Sequence, residues 1–273
     1  MPEQALIGDR YRVLRELGRG GAGTVVSVLD ERTGDEVALK QVPLAEPALA
    51  LAFREELGAL QGLSHPRLVR LLDTGIARGE GGLFGYYTAP LLEGVDLAEH
   101  ARQRPWREVE SALAEALSGL FALHRNRILH GDFTPQNVLV GARGATLIDL
   151  SCARTLGVGP GETLRGTPGF IAPEWLRGEA GDVRSDLYAL GRTLRALGAL
   201  HRDPLPPRLD ALATRLLADD PRDRPVDLLE VFDLLDRPPP TRGPADAART
   251  LGRAPILEQL ETAVRALASG TPA

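Results

Sequence analysis

The sequence predicts an α+β protein of two lobes, the first rich in β-strands and the second helical. Two observations carry this reading. The first ~90 residues hold short β-branched runs broken by glycine and turn residues, with one helical stretch among them. After Gly94 the apolar spacing changes to the helical period and stays there. No internal repeat is visible, which excludes a solenoid or propeller.

Taken in order, Tyr11 to Leu17 and Thr24 to Asp30 read as strands around a glycine cluster. Arg32-Thr-Gly-Asp35 is a turn, and Glu36 to Val42 is a third strand. Ala48 to Leu63 has helical spacing and ends before Ser64-His65-Pro66. Leu68 to Asp73 and Leu83 to Ala89 read as two further strands, and the lobes join near Leu91–Glu93. Val109 to His124 and Arg184 to Leu200 are long helices; Arg208 to Leu217 and Val226 to Leu235 are shorter ones. The predicted domain covers residues 8–236, with lobes of about 8–91 and 92–236. Pro238, Pro239, Pro240 and Pro244 mark a linker over 237–250. Over 251–273, Ile256, Leu257, Leu260, Val264 and Leu267 form an apolar stripe. It reads as a terminal helix or the start of a following domain, so the chain is expected to be a piece of a longer protein.

Composition removes several function classes. Apolar residues at 43% and charged residues at 25% suit a folded domain. The single cysteine, Cys152, excludes a disulfide framework and a multi-cysteine metal site. The longest apolar run, Ala48 to Phe53, is far short of the ~20 residues that span a bilayer. A net charge of −5 gives no reason to expect nucleic acid or an anionic membrane as partner. A cytoplasmic location is the expectation.

Of 32 basic residues, Lys40 is the one lysine. Where arginine serves for every surface charge, a lone ammonium points to chemistry that a planar guanidinium does not perform. Leu17-Gly-Arg-Gly-Gly-Ala-Gly-Thr-Val25 places Gly18, Gly20 and Gly23 between two strands, where glycines let backbone N–H groups approach phosphates. Alone, such a segment is only a turn. Lys40 follows fifteen residues after Val25 in Val-Ala-Leu-Lys, and needs a carboxylate to hold it. Glu55 and Glu56 on the Ala48–Leu63 stretch are the candidates. A second cluster, His130-Gly-Asp-Phe-Thr-Pro-Gln-Asn137, sets Asp132 five residues before Asn137, and Asp149 follows twelve residues later in Leu-Ile-Asp. Asn137 and Asp149 offer the hard oxygen donors that Mg²⁺ prefers.

In this order the motifs resemble the eukaryotic-type (Hanks-type) bacterial serine/threonine protein kinases, over about residues 8–236. The resemblance implies a bilobal protein-kinase-like fold and ATP-dependent transfer of phosphate to a protein substrate in bacterial signalling. It implies Leu17, Gly18, Gly20 and Gly23 over the phosphates, and Val25, Ala38 and Leu139 around the adenine. Lys40 would bind the α/β-phosphates, held by Glu56. Asp132 would be the catalytic base, and Asn137 and Asp149 the Mg²⁺ ligands. The Pro90 carbonyl and Leu92 N–H would meet the adenine edge, next to a very small Ala89. Gly166 to Glu174 resembles the end of the activation segment. Asp186 would bond the catalytic-loop backbone, and Arg224 would pair with Glu174.

The sequence also departs from the family. Gly131 replaces the arginine that meets an activation-segment phosphate, so activity is expected not to need that switch. Thr134 replaces a lysine that neutralises the γ-phosphate, with a hydroxyl offered to Asp132 instead. Ser151 replaces a glycine. Asp186 and Arg224 are 38 positions apart, shorter than the family's usual stretch, which implies a missing docking helix bypassed by Leu200 to Pro207. Thr155, Thr163 and Thr167 are candidate autophosphorylation sites. The tail from Thr250 resembles the first helix of P-loop ATPase modules that follow bacterial signalling kinases, or is an ordinary terminal helix. Two other readings stay open: a pseudokinase acting as a nucleotide-binding regulatory module, and a small-molecule kinase of the aminoglycoside or choline type, which shares His-Gly-Asp-x₄-Asn.

Overall fold

A computed structural model of the chain describes residues 6–20, 23–44, 50, 53–54, 57–58, 63–79, 82–156 and 166–240. Glu55, Glu56, Thr163 and the whole 251–273 stretch lie outside the described residues. The chain divides into two compact units, with Arg70–Leu92 in the first and Leu63–Val69 with everything described after Glu93 in the second.

The first unit is a five-stranded antiparallel sheet, ordered β1-β2-β3-β5-β4. Its strands are β1 (Tyr11–Gly20), β2 (Gly23–Asp30), β3 (Glu36–Pro43), β4 (Asp73–Gly79) and β5 (Gly82–Pro90). Alternation of side chains sends Tyr11, Val26, Val28, Val37, Leu39 and Tyr86 into one core with Ile7. Arg10 clamps the strands by binding Asp30 at 2.6 Å and Asp73 at 2.6 Å. Ala50, Phe53, Arg54, Leu57 and Gly58 are helical, as the periodicity predicts. The Leu68–Asp73 strand is a correction. Leu68 makes only an isolated bridge to Leu147, and the strand starts at Asp73 and runs to Gly79. The apolar Leu68 and Leu71 are buried outside a ladder, so burial mimicked strand patterning.

In the second unit, β6 (Val95–Asp96) leads into α1 (Leu97–Gln103) and α2 (Trp106–Arg125). Then come β7 (Ile128–Leu129), β8 (Val138–Gly141), β9 (Gly144–Leu147) and β10 (Arg154–Thr155). The helices α3 (Pro173–Leu176), α4 (Val183–Leu200), α5 (Pro207–Leu216) and α6 (Leu228–Leu234) complete it. The apolar stripe of α4 (Leu187, Leu190, Leu194 and Leu197) is fully buried. Gly191 lets α5 close on it, since a Cβ there would lie 2.9 Å from the Leu216 Cβ. The predicted bypass is a short loop pinned by His201. Its Nε2 bonds the Arg104 carbonyl at 2.9 Å, and its ring stacks on Trp106 at 4.3 Å. Among the described residues, no helix is long and apolar enough to cross a membrane.

Candidate active site

The loop between β7 and β8 carries most of the chemistry. Its backbone is hung from one buried carboxylate on α4. Asp186 accepts the His130 N–H at 2.8 Å and the Gly131 N–H at 2.9 Å. The His124 imidazole, at the end of α2, bonds the same carboxylate at 2.8 Å. Burial pushes Asp186 up, but the His124 hydrogen bond, the nearby imidazoles and the Gly131 N–H outweigh it, holding the carboxyl below the usual range. Thr193, two helical turns further along α4, donates to the Phe133 carbonyl at 2.9 Å. Asp186 and its bonds match expectation. His124 and Thr193 were not singled out by the sequence, where neither stands apart from ordinary helix residues.

Four bonds fix Asp132. Its Oδ1 accepts the Thr167 N–H at 2.8 Å, and its Oδ2 accepts the Thr167 hydroxyl at 3.0 Å. Asn137 donates from Nδ2 to the Asp132 carbonyl at 2.8 Å and to Oδ2 at 3.1 Å. The Asp132 N–H in turn meets His130 Nδ1 at 3.2 Å. The His130 ring is wholly buried, and burial holds it below its ordinary range, so it stays neutral and its Nδ1 accepts. The expected bond from Thr134 is not made. Among the described residues the carboxylate is taken up by Thr167 and Asn137, while Thr134 is buried and gives its carbonyl to the Asn137 N–H at 3.1 Å. Thr167, read from sequence as a phosphorylation candidate, has its hydroxyl spent on Asp132.

Asp149 follows β9 at the edge of the same cluster. Its φ is +57°, a left-handed conformation uncommon for a side chain with Cβ. The Ser151 N–H caps it by donating to Oδ1 at 3.1 Å, and the Ile148 N–H ties it to the Asn137 carbonyl at 2.8 Å. Leu139 lies half-buried on β8, paired with Asp96. Beyond Asp149 the chain pairs with the loop's entry, Arg154 with Leu129 and Thr155 with Ile128. This brings the Cys152 carbonyl onto Gly131. A Cβ at Gly131, whose φ is +79°, would lie 2.3 Å from that oxygen. Glycine here therefore answers to space as well as to conformation. Burial, with the Asp132 and Asp149 carboxylates, pushes the Cys152 thiol up to about 12.

Glu174, the last residue of the Gly166–Glu174 motif, is locked by a buried ion pair. Arg224 makes a bidentate pair with Glu174 at 2.8 and 2.9 Å, and Ser185 donates to the same carboxylate at 2.7 Å. Both charges are buried, and burial raises Glu174 less than Arg224 and Ser185 lower it. The Arg224 guanidinium also meets the Ala218, Asp219 and Arg184 carbonyls, so its donors are satisfied.

The remaining predicted residues belong to the first unit. Gly18 pairs with Val25 and Gly20 with Gly23 across the β1–β2 hairpin. Gly23 is obligatory: its φ is +132°, and a Cβ would lie 2.0 Å from the Gln41 carbonyl oxygen. At Gly18 and Gly20 a Cβ would meet nothing within 4 Å. Leu17 is exposed on β1. On β3, Ala38 faces Ala89 of β5, and Lys40 faces Tyr87. Pro90 ends β5, and Leu92 follows it. Glu56, the expected partner of Lys40, lies outside the described residues.

The protein kinase domain family model matches residues 11–206. This chain belongs to the protein kinase domain family. It is 30% identical over 257 residues to the serine/threonine-protein kinase PknB of Mycobacterium tuberculosis, covering 80% of this chain and 41% of PknB. PknB of Mycolicibacterium smegmatis is likewise 30% identical over 257 residues. The chain thus spans 41% of the length of these relatives. Among solved structures, the kinase domain of Mycobacterium tuberculosis PknI superposes with a TM-score of 0.67 at 24% identity, covering 86% of this chain and 98% of that one. The fold is the protein-kinase fold, with a β-sheet lobe and a helical lobe.

Proposed function

We propose that this chain transfers the γ-phosphate of ATP to serine or threonine hydroxyls of a protein substrate. The observation that supports this best is the Asp132 carboxylate, fixed by Thr167 and Asn137 on a loop suspended from Asp186. Phosphoryl transfer asks mainly for position and charge neutralisation. Asp132 orients the acceptor hydroxyl and takes its proton late. Lys40, held by Glu56, binds the α/β-phosphates as a point charge. Leu17, Gly18, Gly20 and Gly23 cover the phosphates, and the open space at Gly18 and Gly20 leaves their backbone free to approach. Val25, Ala38 and Leu139 pack the adenine, and the Pro90 carbonyl and Leu92 N–H bond its edge.

The donor set fits Mg²⁺. Asn137 spends its amide N–H groups on Asp132 and offers its carbonyl oxygen as a hard donor, and the Asp149 carboxylate would be the second. Held by Asn137 and Asp149, the ion would supply charge neutralisation at the phosphates. The substrate protein, and a downstream domain of the same polypeptide as a further partner, belong to this proposal.

The experiment incubates purified protein with γ-labelled ATP and Mg²⁺, alone and with a generic basic protein, beside Lys40→Met. Label on protein serine or threonine, absent from the variant, is the expected result. Nucleotide-induced thermal stabilisation without transfer would establish the pseudokinase reading instead. Transfer confined to small hydroxylated compounds would establish the third.

A further inference from the structure

The face of the first-unit sheet that carries Lys40 also carries an aromatic pair. Lys40 and Tyr87 are directly opposed across β3 and β5, so their side chains share one face. Both are buried, each 5% exposed. The Lys40 ammonium lies over the Tyr87 ring, 5.8 Å from its centroid. Tyr87 in turn lies parallel to Phe53, with centroids 6.4 Å apart and planes inclined by 10°. Gly85, two residues before Tyr87 on the same face, makes room for this. A Cβ there would lie 2.3 Å from the Phe53 Cε1. Glycine admits the Phe53 ring, the Phe53 ring fixes the Tyr87 ring, and the Tyr87 ring presents its negative face to the ammonium.

A buried ammonium is costly unless opposite charge density faces it. A π face supplies that attraction without demanding a particular N–H direction, and so leaves the ammonium's donors for oxygen acceptors. We propose that Tyr87 is a positioning residue for Lys40, holding its ammonium in the orientation in which it meets phosphate. This rests on the reading of Lys40 as the phosphate-binding lysine.

Because Lys40 is the one lysine in the chain, an amine-directed acylating reagent followed by peptide mass mapping reports on it separately from the N-terminus. The comparison sets the parent beside Tyr87→Phe, Tyr87→Leu and pentafluorophenylalanine at position 87. The fluorinated ring keeps the shape of Phe and reverses the charge of its face. Tyr87→Phe keeps the ring and its negative face and is the reference for the fluorinated protein. Relative to Tyr87→Phe, the leucine and fluorinated proteins should label Lys40 faster and show a KM for ATP raised on the order of five-fold, equivalent to about 1 kcal/mol, at nearly unchanged kcat. A merely structural ring would leave the fluorinated protein equal to Tyr87→Phe in both readouts, and that equality would overturn the proposal. The Phe pair decides the matter even if Tyr87→Leu does not fold. If the parent transfers no phosphate, the proposed function fails while the labelling contrast still tests the ring.

Discussion

Replacing Asp186 by asparagine changes one atom and tests how the catalytic loop is held. The carboxylate accepts on both oxygens, Oδ2 from the His130 N–H and His124, and Oδ1 from the Gly131 N–H. An amide has one oxygen, so its –NH₂ must face a buried donor whichever way it turns. With nitrogen in place of Oδ1, the Gly131 N–H is stranded. With nitrogen in place of Oδ2, the His130 N–H is stranded and His124 must change tautomer. The first arrangement is cheaper. It leaves one unsatisfied buried N–H, at ~1–3 kcal/mol. It also exchanges two bonds to an anion for weaker bonds to a neutral acceptor, adding roughly 1 kcal/mol. Asp186→Asn should therefore lose about 3 kcal/mol, and Asp186→Ala, which strands all three donors, more. Urea denaturation reads this as a midpoint lowered by about 1 M or more at unchanged slope. Because the stranded N–H immediately precedes Asp132, phosphate transfer should also fall at temperatures where the variant is folded. An asparagine variant with the parent's midpoint and rate would refute the reasoning.

Four further outcomes follow from the geometry. Arg224→Ala leaves the Glu174 charge buried without its partner and should cost ~3–5 kcal/mol in chemical denaturation, while a change below 1 kcal/mol would show the pair is not buried in solution. Gly131→Arg restores the family's residue but meets the Cys152 carbonyl at a left-handed φ; it should lower the melting temperature and the transfer rate rather than add phosphate dependence. Thermal stability should be greatest between about pH 7 and 8; it should fall on acidification, first because the unfolded chain protonates histidines near ~6.5 while buried His130 stays neutral, then below ~4 as Asp186 and Glu174 lose their depressed ionisation, and fall again above about pH 8.5, where the Cys152 thiol ionises in the unfolded chain and not in the folded one. A melting temperature unchanged down to pH 5 would contradict the first part. Cys152, with its thiol near 12, should resist iodoacetamide at pH 8 in the folded protein and react fully once it is unfolded.

Much of the first unit was legible because its strands alternate or carry β-branched runs bounded by glycine, and the glycine cluster falls at the β1–β2 turn as expected. What failed was local. Leu68 and Leu71 looked strand-like because burial alone made them apolar, whereas the β4 strand, Asp73-Thr-Gly-Ile-Ala-Arg-Gly79, carries two glycines that mask its pattern. The helix α1 was missed although Asp96 caps it through the Glu99 N–H at 2.8 Å, a signal that could have been read. At the site, Asp132, Asn137, Asp149, Asp186 and the Glu174–Arg224 pair were visible as motifs, because each chemistry needs one residue type at fixed spacing. Thr167 was visible only as a hydroxyl; its role as a ligand of Asp132 depends on a fold-back over 35 positions that spacing does not encode. Thr134 went the other way, since adjacency to Asp132 suggested a bond that the loop geometry directs elsewhere. Gly131 looked like a lost arginine, and only the approach of the Cys152 carbonyl shows what the glycine permits.

The most direct measurement compares the parent with Asp132→Asn in one preparation, recording the ATP dissociation constant by calorimetry and the initial rate of label transfer to protein hydroxyls. The expected result is an affinity within about two-fold of the parent and a rate lower by roughly 10²–10⁴, the usual worth of a positioned general base. A variant that transfers phosphate at the parent's rate would contradict it.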